Sequence, residues 1–66
     1  MAKELEIQGR RYWILSDPHR DGWRARVLEV AESGATEEIG LDASADTRGA
    51  ADEAAERKLR RMLRAN

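Results

Sequence analysis

The side chains best suited to chemistry stand close together in Asp17-Pro18-His19-Arg20-Asp21-Gly22. Oxygen donors at alternate positions with a glycine at the sixth open the pattern by which a calcium loop gathers its ligands. The pattern stops there: the third position is His19, and the twelfth, where a bidentate glutamate belongs, is Leu28. A plain turn accounts for the same residues, with Pro18 fixing φ and Asp21-Gly22 closing the chain on itself. His19 is the only histidine, and acid–base work by it needs a partner and a pocket. Glu37 and Glu38 are no catalytic pair on a strand, because neighbouring side chains point to opposite faces. Ser16, Ser33 and Ser44 have no base assigned to them by spacing. The five glycines are scattered and form no phosphate cradle. The expectation is a chain that is not an enzyme and uses no cofactor and no metal.

Binding is better represented. In Trp23-Arg24-Ala25-Arg26 an aromatic ring is interleaved with two guanidiniums, the composition of a base-stacking, phosphate-holding surface. The alternative is that Trp13 and Trp23 both sit in the core, where each brings a large apolar area. Arg57-Lys58-x-Arg60-Arg61-x-x-Arg64 is a second basic run. It reads either as phosphate contacts through Arg57 and Arg61 or as a solvated helix face that complements the helix dipole. The candidate contact residues are therefore Trp23, Arg24, Arg26, Arg57 and Arg61, for nucleic acid or for a protein partner.

Charge separates the chain into blocks. Residues 1–28 hold six basic and four acidic groups, residues 29–56 one basic and nine acidic, and residues 57–66 five basic and none acidic. The net charge of −1 disfavours a protein that holds nucleic acid by bulk charge. Ten of the twelve basic residues are arginine, the better residue for forked contacts to phosphate or carboxylate. With no cysteine there is neither a disulfide nor a thiolate metal site. No apolar run is long enough for a transmembrane span and no signal-peptide core is present, so a cytoplasmic protein is expected.

The elements that must position these residues follow from periodicity. Leu5 and Ile7 alternate with Glu4, Glu6 and Gln8, a half-buried strand over about 3–8. Gln8-Gly9-Arg10 is a tight turn. Tyr12-Trp13-Ile14-Leu15 makes a second strand, about 11–16, whose two faces are both apolar and which belongs inside the sheet. A third strand runs over about 23–31, with Trp23, Ala25 and Val27 opposite Arg24 and Arg26. Leu28 and Val30 then fall on the arginine face, and a bulge near Val27-Leu28 would return them to the apolar side. Ile39, Leu41 and Ala43 alternate along a fourth strand, about 36–43. Asp46 or Thr47 caps a helix over about 47–64. Its inner face is Ala51, Ala55, Leu59 and Met62, with the bulky end expected over the tryptophans. Glu53–Arg57 and Glu56–Arg60 are spaced for ion pairs.

The resulting architecture is α+β, a single ββββα domain of 66 residues in which a four-stranded antiparallel sheet carries the C-terminal helix on one face. A chain this short buries only about 60% of its unfolded surface. One helix covers one face of a sheet, yet Tyr12 and Ile14 oppose Trp13 and Leu15, and Leu28 and Val30 oppose Val27 unless the bulge intervenes, so some apolar side chains are left for the other face. Such a patch usually marks an interface, and a two-fold dimer is its simplest use. Self-association or another protein partner is expected, with nucleic acid as the alternative and no membrane.

Tyr12-x-Ile14, Asp21-Gly22-Trp23-x-Ala25-x-Val27, Asp46-Thr47, Ala51-x-x-Ala54 and Leu59 together resemble the small HicB-like antitoxin domain. That resemblance implies a non-catalytic regulatory module that blocks a toxin ribonuclease and often dimerises. The family's Pro-Gly segment before the helix is replaced here by Glu38-Ile39-Gly40-Leu41-Asp42, and no toxin-contacting residue carries over. Trp23-Arg24-Ala25-Arg26-Val27 followed by the alanine-rich helix also resembles plant ethylene-response-type DNA-binding domains, whose sheet reads the major groove. The acidity of residues 29–56 counts against that second likeness.

Overall fold

The structure is a computed structural model that describes residues 2–64. Four strands, β1 (Ala2–Ile7), β2 (Arg10–His19), β3 (Gly22–Val30) and β4 (Thr36–Ala45), precede one helix, α1 (Arg48–Arg64). The strands lie in the order β1-β2-β3-β4 with every neighbour antiparallel, and α1 packs on one face of this sheet. This is the expected α+β arrangement, with the apolar β2 inside the sheet.

Local chemistry accounts for the turns. Ile7 pairs with Arg10 across Gln8-Gly9, both at positive φ, 54° and 78°, as a type I′ hairpin requires. The next hairpin is tighter than the sequence suggests. His19 pairs with Gly22, so Asp17, Pro18 and His19 extend β2 rather than forming a loop. Pro18 is tolerated there because the described part of β1 ends at Ala2, opposite Leu15. Beyond that point β2 pairs on one side only among the described residues, where the missing proline N–H breaks no ladder. The calcium-like spacing is thereby dissolved: Asp17 stands in a strand, and Arg20-Asp21 alone makes the turn.

The expected bulge takes a different form. The β3–β4 register shifts between Arg26 and Leu28. Arg26 faces Asp42 and Leu28 faces Glu38, so Val27 alone stands against Ile39-Gly40-Leu41 and the two surplus residues are on β4. Gly40 absorbs the distortion at φ 73°, a conformation in which a Cβ is strained. Because β4 gains two residues, its alternation survives: Ile39 and Leu41 both pack against the core. β3 has no phase change, and Leu28 stays on the arginine side.

The core lies between the sheet and α1. Tyr12, Ile14, Ala25, Val27, Ala43, Ala51, Ala55 and Leu59 form one buried cluster, with Leu5, Ile7, Trp23, Ala54 and Leu63 packed on its margin. Alanines at 51 and 55 let the helix backbone approach the sheet, and Leu59 then fills the wider end. Met62, expected inside, is 38% exposed; Leu63 takes its place. Thr47 is the N-cap, its Oγ1 accepting the Ala50 N–H at 3.1 Å. The bulky end of the helix does not cover the tryptophans. Trp23 lies by the first turn, where the Arg48 guanidinium sits 5.9 Å from its ring centroid, and Trp13 is outside the core altogether.

Polar clasps fix the helix at three points. Arg48 Nε donates to Ser16 Oγ at 3.1 Å, Lys58 Nζ to the Asp42 carbonyl at 2.9 Å, and Lys3 Nζ to Glu56 Oε1 at 3.0 Å. Glu56 also receives Arg60, so one of the two expected helix pairs forms. Glu53–Arg57 is not among the ion pairs of the described residues.

Candidate functional site

The face of the sheet away from α1 is built by the odd positions of β2 and the even positions of β3. Trp13 stands opposite Leu28, and Leu15 opposite Arg26. Trp13, Leu15 and Leu28 lie outside the cluster under the helix, and each is half-buried. The Trp13 indole N–H donates to Glu4 Oε2 at 3.0 Å, which satisfies the ring's polar edge and leaves its apolar area on this face. The strand alternation explains why: four consecutive large apolar residues in β2 must divide between two faces, and the helix covers one.

Charged side chains border this apolar row. Arg24 donates through Nε and Nη2 to one oxygen of Asp42, at 3.1 and 2.5 Å. Arg26 reaches Glu38 at 3.1 Å and Asp17 at 3.6 Å. The Arg24 hydrogen bond, reinforced by the charges of Arg24 and Lys58, holds the Asp42 carboxyl below its ordinary pKa. On the helix side Glu56 is likewise depressed, first by the hydrogen bond from Lys3 and then by the one from Arg60, against a partial desolvation. All of these pairs are solvent-exposed to some degree, the setting in which an ion pair contributes about 0–1 kcal/mol. They organise the surface more than they stabilise it.

The five candidate contact residues do not come together. Arg24 and Arg26 share the open face and are engaged with carboxylates. Trp23 is on the opposite face, beside Arg48, so the stacking surface read from Trp23-Arg24-Ala25-Arg26 is split by the pleat. Arg57 and Arg61 are exposed near the C-terminal end of α1, where they line a cleft with Ile7 and Leu63. The aromatic residue that does accompany Arg24 and Arg26 is Trp13. Its signal was the uninterrupted run Tyr12-Trp13-Ile14-Leu15, which forces alternate members to the uncovered side.

His19 is exposed at the end of β2, and among the described residues no three His, Cys, Asp or Glu side chains are grouped to hold a metal ion. No helix among the described residues is long and apolar enough to cross a membrane. No protein-family model, curated protein or solved structure matches this chain.

Proposed function

We propose that the chain is a non-catalytic interaction module that pairs with a second copy of itself through the open sheet face. The observation that carries this reading is the row Trp13, Leu28 and Leu15, apolar, half-buried and rimmed by ion pairs. An apolar centre with a polar rim is the usual anatomy of a protein interface. Strands of nine or ten residues at about 3.3 Å per residue, spaced at about 4.8 Å, give a face roughly 19 by 30 Å. That is enough for a modest two-fold contact. Rim charges of both signs, Arg24 and Arg26 with Asp17, Glu38 and Asp42, suit a self-complementary surface, because each copy supplies both halves of any new pair.

The antitoxin-like role belongs to this reading as well, and a toxin reading frame beside the gene would support it. Nucleic-acid binding through Arg24, Arg26 and Trp23 is the weaker alternative, since both arginines are occupied and Trp23 faces the helix. An NMR dilution series tests the pairing. Between about 10 µM and 1 mM, amide signals of Trp13, Leu15 and Leu28 should move together while those of Ala51, Ala55 and Leu59 hold still. Signals independent of concentration over that range, together with the tumbling time of a single chain, would remove the reading.

A further inference from the structure

One strongly charged patch is left unexplained by the open face. Arg57, Arg61 and Arg64 recur at i, i+4 and i+7 and so share one stripe of α1, with Arg60 beside it. With Ile7 and Leu63 they line a cleft of about 410 Å³ where the helix meets the β1–β2 turn, which Gln8 closes. No acidic side chain among the described residues lines it. Several other basic residues are engaged: Lys3, Arg10, Arg24, Arg26 and Arg60 in ion pairs, and Lys58 on a carbonyl; Arg11 and Arg20 do not line this cleft. Arg57, Arg61 and Arg64 make no side-chain hydrogen bond or ion pair among the described residues. Like charges one turn apart repel and destabilise a helix. The helix dipole favours cations near this end, but it explains neither the absence of any acid from the cleft nor its apolar floor.

We propose that this cleft binds a small organic phosphate, a monoester held by the guanidiniums of Arg57, Arg61 and Arg64 with its apolar body on Ile7 and Leu63. Charge and donor geometry select the anion. Three guanidiniums bring three positive charges, and each offers N–H donors in a planar fork. A carboxylate returns one charge and two oxygens. A phosphate monoester carries about −1.5 to −2 near neutral pH and three acceptor oxygens, so two or three arginines bind it without competing for the same atoms. The apolar floor selects an ester over inorganic phosphate. The cleft volume falls in the roughly 300–1,000 Å³ span of small-ligand sites. The site is on the helix side of the molecule and does not depend on pairing through the open face.

The test is an NMR titration of the whole chain with phenyl phosphate, inorganic phosphate, benzoate and short oligothymidylates. Phenyl phosphate should give saturable shifts of the Gln8, Arg61 and Leu63 amides with a Kd below about 1 mM. Its affinity should exceed that for inorganic phosphate and for benzoate by about threefold or more. The exposed double substitution Arg57→Gln/Arg61→Gln should weaken it by about tenfold while the core amides of Ile14 and Val27 stay in place, which separates lost binding from lost folding. Absence of saturation at about 10 mM phenyl phosphate overturns the proposal. So does benzoate or inorganic phosphate binding as well as phenyl phosphate. Oligothymidylate affinity that climbs with length and collapses with salt, with no phenyl phosphate binding, assigns the patch to a polymer backbone instead.

Discussion

Trp13 and Leu28 are cross-strand partners on the face of the sheet that the helix leaves open. Their neighbours one position along, Tyr12 and Val27, are buried under the helix. The same two strands thus present apolar side chains to both sides, and among the described residues the helix covers one side. The Trp13 indole N–H donates to Glu4 at 3.0 Å, so the ring's polar edge is satisfied within the sheet and its apolar area remains on the open face.

The helix side supplies the folding energy. Leu59 is fully buried and is the largest helix side chain in the core. Leu59→Ala should cost about 2–5 kcal/mol, measured by urea denaturation. A loss below about 0.5 kcal/mol would mean that the buried face of α1 is wrongly assigned.

Much of this was legible in the chain, and the failures have physical causes. The alternation of Leu5 and Ile7, of Trp23, Ala25 and Val27, and of Ile39, Leu41 and Ala43 gave the strands. The Thr47 cap and the spacing of Ala51, Ala55 and Leu59 gave the helix. Three features were hidden. Pro18 reads as a strand breaker, and only the register, in which the described β1 ends opposite Leu15, shows that β2 can carry it. The irregularity opposite Val27 was assigned to β3 because Leu28 changes the apolar pattern, although Gly40 inside a strand was the better signal. Met62 and Leu63 are equally apolar neighbours, and which one turns inward depends on how the helix crosses the sheet. The site was half legible: the apolar excess of β2 predicted an open patch, but pairing and pleat decide that Trp13, not Trp23, accompanies Arg24 and Arg26.

Two glycines should respond in opposite directions to alanine. A Cβ on Gly22 would lie 2.5 Å from the Ala45 carbonyl oxygen, a backbone atom that cannot swing aside. Gly22→Ala should therefore destabilise by about 1–3 kcal/mol. Gly49 is in the first turns of α1, and a Cβ there meets nothing within 4 Å. Gly49→Ala should stabilise by about 0.4–1 kcal/mol by restricting the unfolded chain and favouring helix. Thermal unfolding of the two variants checks both signs; stabilisation by Gly22→Ala would refute the close β3–β4 contact.

Acid should weaken the fold through Glu56 and Asp42. Lys3 holds Glu56 below its ordinary 4.5, and Arg24 holds Asp42 below 3.8. A carboxyl whose pKa is depressed on folding contributes stability above its unfolded pKa and loses it as pH falls through the folded value. The urea midpoint should therefore drop from about pH 5 toward pH 3. The double substitution Glu56→Gln/Asp42→Asn should lower stability at neutral pH slightly and flatten that drop. An unchanged acid slope in the double variant would show that these two carboxyls are not its source.

Sedimentation equilibrium of the wild-type chain beside Leu28→Glu addresses the open face most directly. At about 50 µM the wild type should approach twice the 7.5 kDa mass of one chain. Leu28→Glu, which places a charge at the centre of the apolar row without touching the core, should sediment as a single chain of unchanged secondary structure. A wild type that remains at 7.5 kDa, or a Leu28→Glu variant as dimeric as the wild type, would contradict pairing through this face.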